Sequence, residues 1–166
     1  FDNLIYDDKF VKKISNLSEL IKNDKLDLHI NIYGTEGSGK TIILKLLFPN
    51  KNFFYNKNYE DKEYAFSYQN IYLFDFNYIN QTKYKDALNT IKSLSKINLI
   101  QYNYKIIIME NFYKHYEYMK FFKTILERYC NITKFIIISR QQTEQVKNFS
   151  YNISIPILDE TTFNKK

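Results

Sequence analysis

The sequence predicts a three-layer α/β domain on a mostly parallel central sheet, and three observations carry that prediction. Short runs that are apolar throughout, such as Lys105-Ile106-Ile107-Ile108-Met109 and Lys134-Phe135-Ile136-Ile137-Ile138, read as strands covered on both faces. They alternate with segments whose apolar residues recur at helical spacing, the order that gives parallel strands joined by helices. All 3 glycines of the chain, Gly34, Gly37 and Gly39, belong to one stretch, Gly34-Thr35-Glu36-Gly37-Ser38-Gly39-Lys40-Thr41. That stretch is a complete G-x-x-x-x-G-K-[ST] phosphate loop.

Each element follows from its residues. Residues 17–21 close a first helix, and Leu28-His29-Ile30-Asn31-Ile32-Tyr33 is a buried strand that enters the glycine loop. Residues 41–48, with Ile42, Ile43, Leu44, Leu46 and Leu47, form an apolar helix stopped at Pro49. Residues 50–61, rich in Lys, Asn and Tyr, read as an exposed loop. Tyr72-Leu73-Phe74-Asp75-Phe76 is a short strand, followed by a helix over 83–94 with Ala87, Leu88, Ile91 and Leu94 on one face. A strand over 105–109, a helix over 116–129, a strand over 134–138 and a last apolar segment over 153–157 complete the alternation. In such a sheet the loop after the first strand is where ligand binds.

Composition narrows the classes of function. A chain of 166 residues makes one domain with a full core. It begins at Phe1 rather than methionine, as a piece of a longer protein would. Lys and Arg outnumber Asp and Glu by 24 to 18, and the net +6 suits a negatively charged partner, nucleotide accounting for part of it. The single cysteine, Cys130, excludes an internal disulfide, fits a reducing intracellular compartment and reads as a small buried apolar residue. The apolar runs are far shorter than a membrane span, and no signal peptide is visible. The 16 Tyr and 14 Phe accompany abundant Lys, Asn and Ile, as an A- and T-rich coding bias produces, and are not read as a base-stacking surface.

The loop has its own chemistry. Glycine supplies positive φ and close backbone approach. Successive N–H groups and the positive end of the following helix form a nest for phosphate oxygens. Lys40 adds charge towards the β and γ phosphates, and the Thr41 hydroxyl completes the coordination of Mg²⁺. The candidate nucleotide-binding residues are therefore Gly34, Thr35, Glu36, Gly37, Ser38, Gly39, Lys40, Thr41 and Ile42, with ATP or ADP and Mg²⁺ as ligands. In a P-loop ATPase an acidic pair follows an apolar strand, an Asp next to the metal and then a Glu that polarises the attacking water. Met109 is read at the first of these positions and Glu110 at the second, which leaves Glu110 as the catalytic candidate and the metal side weakened.

Almost the whole chain resembles the AAA+ clamp loaders, and within them the small subunits of replication factor C. Phe1-Asp2-Asn3-Leu4-Ile5 looks like the segment opening that ATPase domain, and His29 stands where the family has its proline-histidine. Asp75-Phe76-Asn77-Tyr78-Ile79-Asn80 is similar to its Glu-Leu-Asn-Ala-Ser-Asp stretch. Leu126-Glu127-Arg128-Tyr129-Cys130 looks like its Met-Glu-Lys-Tyr-Ser, and Thr133-Lys134-Phe135-Ile136 like its Thr-Arg-Phe-Ile. Pro156 falls where the family leaves its ATPase core, so residues 1–157 are expected to be the AAA+ core and 158–166 the start of a lid or linker.

Four positions depart from the family. Met109 replaces the metal carboxylate, and Arg140 the sensor Asn. Met119 aligns with the Gln of the central helix, and Asn148-Phe149-Ser150 lacks the Arg that reaches a neighbouring subunit's nucleotide. The resemblance thus implies an ATP-binding subunit of a sliding-clamp loader, with hydrolysis weak or lost. It implies partners too: other subunits in a ring, a sliding clamp, and primer-template DNA held by phosphate contacts where DNA is replicated, the nucleus included. Two helix starts facing that DNA carry Gln81, Thr82, Lys83 and Lys85, then Lys114 and His115. Alternatives are another AAA+ role in replication, such as origin recognition or helicase loading, and a P-loop nucleotide kinase. A kinase needs several arginines to grip two nucleotides, and this chain has Arg128 and Arg140 alone.

Overall fold

The computed structural model describes residues 8–49, 65–112, 119–140 and 144–156. Helix α1 (Asp8–Lys22) has an acid in its first turn and a base in its last, each matched to the local helix dipole, and buries Ile14 and Leu17. Strand β1 (His29–Tyr33) leads through the glycine loop into α2 (Lys40–Leu47). A hairpin follows, β2 (Ala65–Tyr68) and β3 (Ile71–Asp75), turning at Gln69 with φ 55°. Then come α3 (Tyr84–Ser95), β4 (Lys105–Glu110), α4 (Met119–Arg128), β5 (Thr133–Ser139) and β6 (Ser150–Ser154). Short 3-10 turns precede α3 at Gln81–Lys83 and β6 at Glu144–Phe149.

The strands form one sheet in the order β2-β3-β4-β5-β1-β6. Among the described residues, five of the six run parallel, and the edge strand β2 is antiparallel to its neighbour. Period-2 alternation divides the core into two layers of side chains. Ile30, Ile32, Leu73, Ile106, Ile108, Ile136 and Ile138 pack with Ile43, Leu44 and Leu47 of α2 and with α1. Phe74, Ile107, Met109, Phe135 and Ile137 pack on the other face with Ala87, Leu88 and Ile91 of α3 and with Phe122 and Leu126 of α4. This is the three-layer arrangement expected.

At the strand-entry end, buried polar groups tie helix ends to the sheet. Lys105, 1% exposed, donates to the Ile97 carbonyl just beyond α3 and to Thr133 Oγ1 at 3.1 Å. Lys134 donates to the carbonyls of Cys130, beyond α4, and Asp27 at 2.5 and 2.9 Å. Both lysines thus satisfy carbonyls near helix C-termini. His29 lies between β5 and α4: its Nδ1 accepts from the Phe135 N–H at 3.0 Å, and its Nε2 donates to the Leu126 carbonyl at 3.1 Å. That pair of roles needs a neutral ring. Burial, the largest cause, lowers its pKa to about 4.

The element order agrees with the sequence to within a few residues, with one strand added. Ala65–Tyr68 is no part of the expected pattern and forms the antiparallel edge. Cys130, expected to be buried, is only partly covered. The opening segment 1–5, the loop 50–61, the helix residues 116–118 and the boundary at 157 lie outside the described residues. Among the described residues no helix is long and apolar enough to cross a membrane.

Candidate nucleotide-binding site

The glycine loop leaves β1 at the C-terminal edge of the sheet, and its first residue is fixed to the neighbouring strand by a Gly34 N–H bond to the Ser139 carbonyl, 3.2 Å. The three glycines answer different needs. A Cβ on Gly34 would lie 2.6 Å from Ser38 Oγ and 3.2 Å from Ile155 Cβ, so this position is set by close packing. Gly37 and Gly39 have φ of 79° and 92°, which an L side chain adopts only under strain. Gly39 is also the residue preceding α2, so the positive φ turns the chain into the helix. Nothing lies within 4 Å of a Cβ built on Gly37, so the loop's outer side has open space beside it.

Lys40 begins α2 and folds back over the loop, donating to the carbonyls of Gly34 at 2.6 Å and Thr35 at 2.7 Å. Its ammonium is thereby held at the loop mouth. Burial first, and then the nearby Arg140 charge, lower the Lys40 pKa from the ordinary lysine value, while Glu36 acts in the opposite direction. Arg140, directly after β5, pairs with Glu36 of the loop at 3.1 Å. Ile42 is exposed on α2. Thr41 lies in the first turn of α2, and the structure describes its backbone but not its side chain.

At the same end of the sheet, across β5 from the loop, β3 and β4 end together, with Asp75 in register with Glu110. Alternation assigns both to the α2 side, because Leu73 and Ile108, two residues earlier in each strand, pack against that helix. Asp75 is 3% exposed and accepts from Asn111 Nδ2 at 2.9 Å and from the Asn77 N–H at 3.1 Å. Asn111 follows Glu110 with φ 61°, a left-handed conformation that Asn tolerates better than most residues. Its N–H bonds the Ile138 carbonyl at 3.1 Å, extending the pairing of β4 with β5 past Glu110.

This geometry corrects the expectation for Met109. Its side chain is wholly buried with Phe74, Phe76 and Phe135 on the α3/α4 face of the sheet, away from the loop's helix. Glu110 is the strand-end carboxylate on the loop's own side. Asp75 and Asn111 are not among the expected site residues; pairing the ends of two apolar strands and applying a period of two would point to both.

The DNA-contact candidates divide differently. Lys83 and Lys85 are exposed at the start of α3. Lys114 and His115 lie outside the described residues. Phe149, in the segment without a trans-acting Arg, is half-buried with Lys123 Nζ 5.8 Å from its ring centroid.

No protein-family model matches the chain, and no curated protein does. Solved structures do match. A DNA polymerase III gamma subunit-related protein of Thermotoga maritima superposes with TM-score 0.54 at 15% identity, over 89% of this chain and 47% of that one. The DNA clamp loader delta protein of Bacillus subtilis gives TM-score 0.56 at 12% identity, over 88% of this chain and 43% of that one. Domain III of the Thermotoga maritima replication initiation protein DnaA gives 0.55 at 12%, over 97% of this chain and 68% of that one. The chain therefore spans less than half the length of the first two. Identities this low speak for the fold alone, and the fold is an α/β one with a phosphate loop after its first strand, as in P-loop NTPases.

Proposed function

We propose that this chain is the ATP-binding subunit of a DNA sliding-clamp loader, with nucleotide binding retained and hydrolysis weak or lost. The observation that carries the reading is the loop itself, with glycines fitted by packing at Gly34 and by positive φ at Gly37 and Gly39, and Lys40 at its mouth. The ordered matches along the sequence and the fold shared with the DNA clamp loader delta protein support the choice of assembly. Exposed Lys83 and Lys85 suit phosphate contacts to primer-template DNA, and other ring subunits and a sliding clamp would be the protein partners.

The residues fit a nucleotide with Mg²⁺, which keeps several waters and takes few protein ligands beside the phosphates. Thr41 would be the direct ligand, and Glu110 would hold the ion's water shell. ATP supplies the phosphate oxygens that the loop amides and Lys40 bind. Asn111 then stands where a second carboxylate would orient the attacking water, and its amide is engaged by Asp75. Slow turnover therefore follows from Asn111 rather than from Met109.

Lys40→Ala tests the reading. It should weaken binding of labelled ATP on the order of 10²-fold or more, since the loop's charge-assisted contacts pass through it; undiminished binding would overturn the proposal. A second reading, an initiator of replication, is favoured by the fold shared with DnaA domain III. The sequence following residue 166 discriminates: an all-helical collar after the lid supports the loader, a winged helix the initiator.

A further inference from the structure

The strand-entry end of the sheet, opposite the glycine loop, holds a cavity of about 440 Å³. The ends of α1 and α2, the turn between β2 and β3, the loop before β4 and the start of β4 close around it. Leu47, Phe48, Ile71 and Ile106 are buried and make its floor. Lys22, Gln69 and Gln101 stand exposed at its mouth, with Asp24 half-buried beside them. Voids larger than a water molecule are rare in a close-packed interior. An apolar floor under a few polar groups, at a volume within roughly 300–1,000 Å³, is the make-up of a small-molecule site.

The fold fixes the walls of this cavity and places charges of both signs on it. Ser18 Oγ donates to the Leu47 carbonyl at 3.2 Å, which ties the ends of α1 and α2 together. Asn70 is held by donating Nδ2 to the Tyr104 carbonyl at 3.1 Å. Asp24 has φ 57°, and its Oδ2 accepts from the Asn103 N–H at 2.9 Å while its carbonyl accepts from Asn103 Nδ2 at 3.2 Å. That leaves Asp24 Oδ1 for a ligand. Because α1 and α2 both end here, the negative ends of two helix dipoles adjoin the same space, and an ammonium group suits that side. Lys22, two residues before Asp24, brings the opposite charge and suits a carboxylate.

We infer that this cavity binds a free α-amino acid with an apolar side chain. The side chain lies on the floor of Leu47, Phe48, Ile71 and Ile106, the ammonium faces Asp24, and the carboxylate faces Lys22. A neutral apolar molecule would leave both charges unused. A peptide would separate its terminal charges by about 3.3–3.6 Å for each added residue, too far to meet two side chains on one helix end. The site is distinct from the glycine loop, since α2 begins beside that loop at Lys40 and reaches the cavity only at Leu47. It therefore stands independently of the nucleotide-binding reading.

Calorimetric titration of the full chain at neutral pH with L-phenylalanine, phenethylamine and hydrocinnamate tests this, because the three share a ring and differ in the charges they carry. L-Phenylalanine should bind saturably, and each analogue about 10-fold or more weakly, the worth of one charge-assisted contact. Asp24→Asn, which keeps a residue tolerant of positive φ and an oxygen for the Asn103 N–H, should weaken L-phenylalanine and phenethylamine by a similar factor. It should change hydrocinnamate by less than about 3-fold. Lys22→Gln should weaken L-phenylalanine and hydrocinnamate and spare phenethylamine. The inference is overturned if L-phenylalanine shows no saturable binding, or if the native chain binds all three equally. Losses that are equal for all three ligands and accompany a lowered urea midpoint overturn it as well.

Discussion

Met109 and Glu110 adjoin in the chain, at 0% and 5% exposure, yet they serve opposite sides of the sheet. A charge at residue 109 would enter a pocket of Phe74, Phe76 and Phe135, not a metal site. Met109→Asp is therefore expected to destabilise the protein by several kcal/mol, the cost of an unpaired buried carboxyl, without any gain in Mg²⁺-dependent ATP binding. Met109→Leu should cost less than about 1.5 kcal/mol and leave nucleotide affinity unchanged. Chemical denaturation and nucleotide titration of the two variants check this; a gain of Mg²⁺-dependent binding in Met109→Asp would restore residue 109 to the metal side. The loop residues were legible because G-x-x-x-x-G-K-[ST] is a covalent pattern. Assigning Glu110 its place needed strand parity, which an unbroken Ile106-Ile107-Ile108-Met109 run conceals, since apolar residues on both faces leave no alternation to read.

At the scale of elements, α4 is held to the sheet through a histidine that must stay neutral. Protonating His29 would place a proton on Nδ1, where the Phe135 N–H is now accepted. The folded pKa of about 4 lies below the ordinary histidine value of 6.5, so the unfolded chain binds the proton more readily between those values. The contribution of His29 is complete above about pH 6.5 and is lost as pH falls towards 4, about 3 kcal/mol over the window. Urea midpoints at pH 7.5, 5.5 and 4.5 should decline more steeply for the native chain than for His29→Gln; parallel declines would remove His29 as the cause. Elements with continuous apolar runs or clear helical periodicity were legible. Strand β2 was not, because Ala65-Phe66-Ser67-Tyr68 is short and follows a polar, tyrosine-rich segment, and its pairing with β3 comes from the turn at Gln69.

For the whole molecule, a net charge of +6 and exposed Lys83 and Lys85 favour an anionic partner beyond the nucleotide. In the assembled complex, Lys83→Glu with Lys114→Glu should weaken DNA binding similarly across sequences. It should also reduce the slope of log affinity against log salt by about 1 for each phosphate that is no longer neutralised. Unchanged binding would place the DNA elsewhere. Phosphate release by the isolated chain with Mg²⁺ should stay well below about one turnover per second, the low end of ordinary enzyme rates. Faster, Glu110-dependent release would show that Asn111 does not limit the reaction. The fold class was legible from the alternation of strands and helices, whereas a DNA-contacting role for Lys83 and Lys85 was not, because a lysine on a helix start reads the same whether it meets phosphate or water.

The position of β1 between β5 and β6 also governs when the site can come into being. The bond from Phe135 to His29 spans 106 residues and that from Asn31 to Asn152 spans 121, so the strand feeding the phosphate loop is translated long before either partner. At about 5–20 residues per second, the ribosome needs roughly 5–25 seconds to supply them. For that interval His29–Tyr33 is a strand segment with both backbone edges unpaired, a state open to mispairing with other chains. The bond that fixes the first loop residue, from the Gly34 N–H to the Ser139 carbonyl, waits for β5 in the same way.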